Sequence, residues 1–154
     1  MASAPRDPAN VNLGRLLLLG FRWFDDGLRR NLAARGWPPI SSGQSLIVAY
    51  LDPGGTTISE LARRIGVSRQ AVHQLTITLA AAGLVELRPC PADARSKLVV
   101  LTAEGRRSVP AALALFDQLE QLLAARIGKR PAADLRAALE ADWGPPPDLD
   151  HPGN

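Results

Sequence analysis

Between Leu13 and about Ala34 the apolar residues fall into two sets. Leu13, Leu16, Leu17, Phe24, Leu28 and Leu32 recur near helical spacing, while Leu18, Leu19, Phe21 and Trp23 form a second apolar face. A helix with two apolar faces needs two partners, so it is either a central core helix or one that covers its own lobe and also meets a second subunit. Gly36-Trp37-Pro38-Pro39 stops it. Ser41-Ser42-Gly43-Gln44 then has the form of a capping box, opening a short helix to about Leu51, and Asp52-Pro53-Gly54-Gly55 marks a turn. A second capping box, Thr57-Ile58-Ser59-Glu60, opens a helix with Ile58, Leu61, Ala62 and Ile65 on one face, ended by Gly66. Ser68 caps a third helix with Val72, Leu75 and Leu79 inward, and Gly83 closes it.

After Gly83 the period changes. Leu84–Arg88 reads as a strand, Pro89 to Arg95 as a turn-rich loop and Lys97–Leu101 as a second strand, giving a β-hairpin with a basic tip. Thr102-Ala103-Glu104 caps a long helix carrying Leu113, Phe116, Leu119, Leu122, Leu123 and Ile127. Pro131, at a first helical turn, opens a last short helix ending near Trp143. The residues before Val11 and the tail 144–154 show no period and are expected to be mobile. With 154 residues, no repeat and no long linker, residues 1–154 read as a single domain.

Composition supports a mainly α fold with a small β-hairpin, since 46% of residues are hydrophobic but only 5% aromatic, with Leu and Ala dominant. The formal charge of +3 and a pI of about 9.7 hint at a polyanionic partner without identifying one. The single Cys90 cannot form an intramolecular disulfide, and the first residues do not form a secretory signal, so a reducing cytoplasm is the expected location. The run Leu16–Phe21 is broken by Arg22 and then Asp25-Asp26, too soon for a membrane span. Two histidines, His73 and His151, and one cysteine cannot assemble a metal cluster or a Cys–His nucleophile within one subunit. Asp25 and Asp26 are neighbours on a helix and point apart, unsuited to paired acid–base work. No catalytic residue, metal or cofactor is therefore expected. Cys90, near Arg88, reads as an incidental surface thiol or an exposed redox switch.

Two short helices joined at Gly66-Val67, the second followed by a hairpin, follow the plan of a winged helix-turn-helix, whose second helix enters a major groove. Arg69, Gln70, His73 and Gln74 project away from the packed face. These are types suited to base edges, and neither Glu nor Lys occurs from Ser68 to Ala82. Thr57-Ile58-Ser59-Glu60-Leu61-Ala62, Gly66-Val67-Ser68-Arg69-Gln70-Ala71-Val72, Gly83-Leu84-Val85, Asp93-Ala94-Arg95-Ser96-Lys97-Leu98 and Leu101-Thr102-Ala103-Glu104-Gly105 together resemble the MarR (multiple antibiotic resistance regulator) family in order and spacing.

That resemblance implies a transcriptional regulator, expected to act as a repressor, binding double-stranded DNA as a homodimer. A DNA-binding lobe over about 41–105 would be flanked by dimerisation helices over about 11–36 and 103–143. Ser68, Arg69, Gln70, His73, Gln74, Thr76 and Thr78 would contact DNA from the recognition helix, and Asp93, Arg95, Ser96 and Lys97 from the wing. Arg95 would enter a minor groove, held by Asp93; the alternative is an Asp93–Arg95 ion pair that only stiffens the hairpin. Phe21, Arg22, Trp23 and Phe24 would line a small-molecule effector pocket or belong to the core. Thr76-Ile77-Thr78-Leu79-Ala80-Ala81-Ala82 departs from the family pattern by lacking charge. It keeps open a second reading, a winged-helix protein-interaction or dimerisation module that has lost DNA binding.

Overall fold

The computed structural model describes residues 12–149; the ends before Asn12 and after Leu149, where mobility is expected, lie outside them. Among the described residues the elements run α1 (Leu13–Ala34), α2 (Ser42–Ala49), β1 (Thr56–Thr57), α3 (Ile58–Ile65), α4 (Arg69–Ala81), β2 (Val85–Cys90), β3 (Asp93–Leu101), α5 (Ala103–Ile127) and α6 (Lys129–Glu140). The chain divides inside α5 into two compact units, one ending at Asp117 and one beginning at Gln118.

The core of the first unit lies where α2, α3 and α4 meet the hairpin. Ile47, Leu61, Val72, Leu79, Val85 and Val99 are essentially solvent-free, flanked by Ile58, Ile65 and Leu75, which are partly buried. Each such aliphatic side chain contributes about 1.5–3 kcal/mol relative to exposure, so these helices hold together by the faces that the spacing of their apolar residues predicts. Caps set their ends. Ser41 accepts from the Gln44 N–H while the Gln44 side chain accepts from the Ser41 N–H, completing the first capping box. Ser68 Oγ accepts from the Ala71 N–H at 3.1 Å to start α4, and Gly66, at φ 76°, supplies the left-handed residue that ends α3.

Three local expectations are corrected. Thr57 caps α3, but Glu60 does not complete a box, because Arg63 and Arg64 both draw its carboxylate. Their hydrogen bonds hold Glu60 down at about 2. Arg64 reaches on to Asp52 at 3.0 Å and to the Tyr50 carbonyl, tying α3 to the end of α2. The wing carries no long loop: β2 and β3 run to Cys90 and from Asp93, leaving Pro91-Ala92 as the turn, with a register shift at Pro89/Cys90. That shift accommodates a proline, which cannot donate to the ladder. Finally, β1 pairs antiparallel with β3 (Thr56 with Val99, Thr57 with Leu98), so the sheet has three strands in the order β1-β3-β2.

In α1 only Asp25, Leu28 and Leu32 are buried, whereas Leu13, Leu16, Leu18, Leu19 and Phe21 are exposed. The C-terminal part of the helix is thus used in packing, at Leu28 and Leu32, while its N-terminal part is open on both apolar sets, at Leu13 and Leu16 as well as Leu18, Leu19 and Phe21. Asp25 is an anchor for the next helix. Burial pushes its carboxyl up, but the Ser42 and Ser45 hydroxyls and Arg29 outweigh that and hold it below the usual carboxylate range. Arg29 donates to Asp25 at 2.9 Å and pairs with Asp26 as well, so the two neighbouring acids share one guanidinium. In the second unit, Arg136 pairs with Glu120 and Glu140, and the Trp143 indole donates to the Ala138 carbonyl at 2.8 Å. Leu135, Leu139 and Trp143 there are exposed.

Candidate nucleic-acid interface

The outward face of α4 carries Arg69, Gln70, His73, Gln74 and Ile77, all exposed, at the three- and four-residue steps that align side chains along a helix. No carboxylate lies on α4, so nothing on this face would repel a polyanion. Ser68 is exposed beside them, but its hydroxyl is engaged in capping the helix.

Two expected contacts are placed differently. Thr76 is corrected to an internal residue: it is fully buried, and its hydroxyl donates to the Val72 carbonyl at 2.7 Å. Thr78 is on the exposed side, yet its hydroxyl accepts from Gln44 Nε2 at 2.8 Å and donates to the Leu75 carbonyl at 2.9 Å. Gln44, itself buried, therefore both caps α2 and tethers α4. Its capping position accounts for a polar residue there, so nothing in the sequence suggests the second contact. The close seat of Gly43 reinforces this joint, since a Cβ there would lie 3.1 Å from Leu75 Cδ1.

In the wing, Asp93 organises the tip through the backbone. Its Oδ1 accepts the Arg95 N–H at 3.0 Å and its Oδ2 accepts the Ser96 hydroxyl at 2.7 Å, and these two bonds hold its carboxyl below the ordinary range. The Asp93–Arg95 side-chain pair that the spacing also allows is not formed. Among the described residues the Arg95 guanidinium and the Lys97 ammonium have no ion-pair partner, and both are exposed; Arg88 by contrast is paired with Glu86. The turn thus presents two uncommitted cations from a braced backbone. Cys90 is half-buried at the end of β2, opposite Asp93.

Phe21 and Arg22 on α1 are exposed, whereas Trp23 and Phe24 pack edge to face at 4.9 Å, with Phe24 tilted against Phe116 at 6.5 Å. The aromatic pair is used in packing. Among the described residues no group of three or more His, Cys, Asp or Glu side chains could hold a metal ion, and no helix is long and apolar enough to cross a membrane.

Residues 39–96, which hold α2 to the wing tip, match the model of the MarR family. Wild-type MarR from E. coli, in its apo form, has the same fold: TM-score 0.70 and 26% identity, covering 84% of this chain and 96% of that one. Over its winged-helix lobe the chain thus resembles the MarR family. Its fold, mostly helical with a small three-stranded antiparallel sheet, is that of MarR-family transcriptional regulators. A MarR-family regulator from Rhodococcus sp. shares the fold at 20% identity and TM-score 0.67, over 88% of this chain and 94% of its own. Among curated relatives, uncharacterized proteins of Mycobacterium tuberculosis and Mycobacterium bovis are 38% identical over 65 residues, 42% of this chain. The match spans 46% of those relatives' length.

Proposed function

We propose that the chain is a sequence-specific DNA-binding repressor that acts as a homodimer on a pseudo-palindromic operator. The observation that carries the reading is the pairing, on one lobe, of an acid-free recognition face with a braced wing tip whose Arg95 and Lys97 are uncommitted. Arg69, Gln70, His73 and Gln74 read base edges, while Arg95 enters an adjacent minor groove, where a narrow groove concentrates negative potential. Asp93 serves by fixing the backbone from which Arg95 projects, and Ser96 by locking Asp93.

The second copy is inferred from the apolar surface left open. Leu13, Leu16, Leu18, Leu19 and Phe21, close together on α1, exceed the singly scattered apolar residues of an ordinary monomer surface. Two-fold pairing of such a surface places two recognition helices in one complex. Leu16 and Leu19 are both exposed, so the double variant Leu16→Asp/Leu19→Asp should fold but become monomeric by light scattering. Its affinity for a duplex bound by the parent should fall at least about a hundredfold, as the two half-sites are no longer bound by one linked pair. A parent that is monomeric at micromolar concentration, or a double variant that binds as well as the parent, would remove the homodimeric repressor reading.

The protein-interaction reading draws on the exposed Val67 and Ile77. It differs in salt response, because phosphate contacts release counterions and apolar protein contacts do not.

A further inference from the structure

The C-terminal half of α4 presents chemistry that the polar residues before it do not. Of its two threonines, Thr76 is buried with its hydroxyl bonded to Val72, and Thr78 is spent on Gln44 and Leu75. Between them Ile77 is 43% exposed, one turn beyond His73 and Gln74 on the outward face. The next outward position, Ala81, is small. The Gln44 tether holds α4 at the residue adjoining Ile77, so this presentation is built in: rotating Ile77 inward would break a 2.8 Å hydrogen bond and expose buried Thr76.

A helix entering a major groove along Gln70, His73 and Gln74 carries Ile77 onto base edges too. The edges there present hydrogen-bond donors and acceptors, and a single kind of apolar group that stands out from the base, the C5 methyl of thymine. An isoleucine set against a donor or acceptor would desolvate a polar edge and return no hydrogen bond. We propose that Ile77 is a specificity-determining residue that packs against a thymine methyl, and so selects thymine at one position in each half-site. This rests on the reading of α4 as the recognition helix. It also gives the uncharged half of α4 a role in DNA reading, through apolar packing in place of phosphate binding.

The test uses the full-length chain and a duplex enriched by it from a random pool. Each thymine is replaced in turn by deoxyuridine, which deletes the C5 methyl and leaves base pairing intact. At one symmetry-related position, wild-type affinity should fall about three- to tenfold, the range expected for one or two buried methyl groups. Ile77→Ala should bind the thymine duplex correspondingly more weakly and be indifferent to uracil there, and Ile77→Val should keep most of the discrimination. Because Ile77 is exposed, both variants should unfold at the parent's denaturant midpoint. Indifference of the wild type to uracil at every position, or an unchanged uracil penalty in Ile77→Ala, would overturn the proposal while leaving DNA binding intact. Loss of dimer mass in Ile77→Ala would overturn it as well, by placing Ile77 in a protein contact. A pool that yields no bound duplex at all would instead remove the recognition-helix reading on which the proposal stands.

Discussion

Replacing Gly105 with alanine should lower the unfolding free energy by about 3 kcal/mol or more, and Gly105→Val should leave no stable fold. Helix propensity argues the other way, since Ala exceeds Gly in a helix by about 1 kcal/mol, so the sign of the change tells which effect wins. Gly105 lies in the first turn of α5, where its N–H donates to Thr102 Oγ1 at 3.0 Å. A Cβ there would fall 2.0 Å from the Leu84 carbonyl oxygen and 3.0 Å from Leu101 Cδ2. The carbonyl cannot easily yield. It accepts the Thr102 N–H at 3.1 Å, and the Thr102 hydroxyl is bonded in turn to the Gly83 carbonyl at 2.6 Å. The end of the α4 turn, the start of β2 and the start of α5 are therefore locked at one point, and a methyl group would pry all three apart. A urea midpoint for Gly105→Ala at or above the parent's would show that the backbone there relaxes freely.

The second large effect concerns DNA. Arg95→Ala should weaken binding to specific and scrambled duplexes alike and make the salt dependence shallower by about 0.9 in the log–log slope for each phosphate that is no longer neutralised. Some added change in preference is expected where the minor groove is narrow. Gln70→Ala should cost about 1–3 kcal/mol on the best site and less on scrambled DNA, if Gln70 bonds adenine in bidentate fashion. The difference follows from where the groups sit, one on a braced turn and the other on the helix face that reads bases. Affinities of both variants on the two duplexes at several salt concentrations check this. An Arg95→Ala chain with unchanged affinity and slope would show that the wing tip does not touch DNA.

The helices were legible because their caps and apolar spacing are local: Ser41, Thr57 and Ser68 stand where they cap, and Leu61, Val72 and Leu79 where they pack. What escaped the sequence depends on distant partners. Two threonines at 56 and 57 are too short to read as a strand, and become one only because β3 offers its edge. Thr76 and Thr78 look equally suited to an exposed polar face, yet a helix turns about 100° per residue, so Thr76 falls inside and Thr78 meets Gln44 across 34 positions of sequence. The Asp93–Arg95 spacing suggests an ion pair as readily as a backbone brace, and only the turn geometry decides for the brace. Glu60 has the right offset for a capping box, but the two arginines that follow it compete for the same carboxylate.

Selection of bound duplexes from a random DNA pool by the full chain tests the central claim most directly. An enriched inverted repeat is predicted, with half-sites about one helical turn apart centre to centre or a multiple of that, and its retention should fall steeply with salt. Recovery of no preferred sequence after repeated rounds, with whatever binding remains insensitive to salt, would contradict the claim.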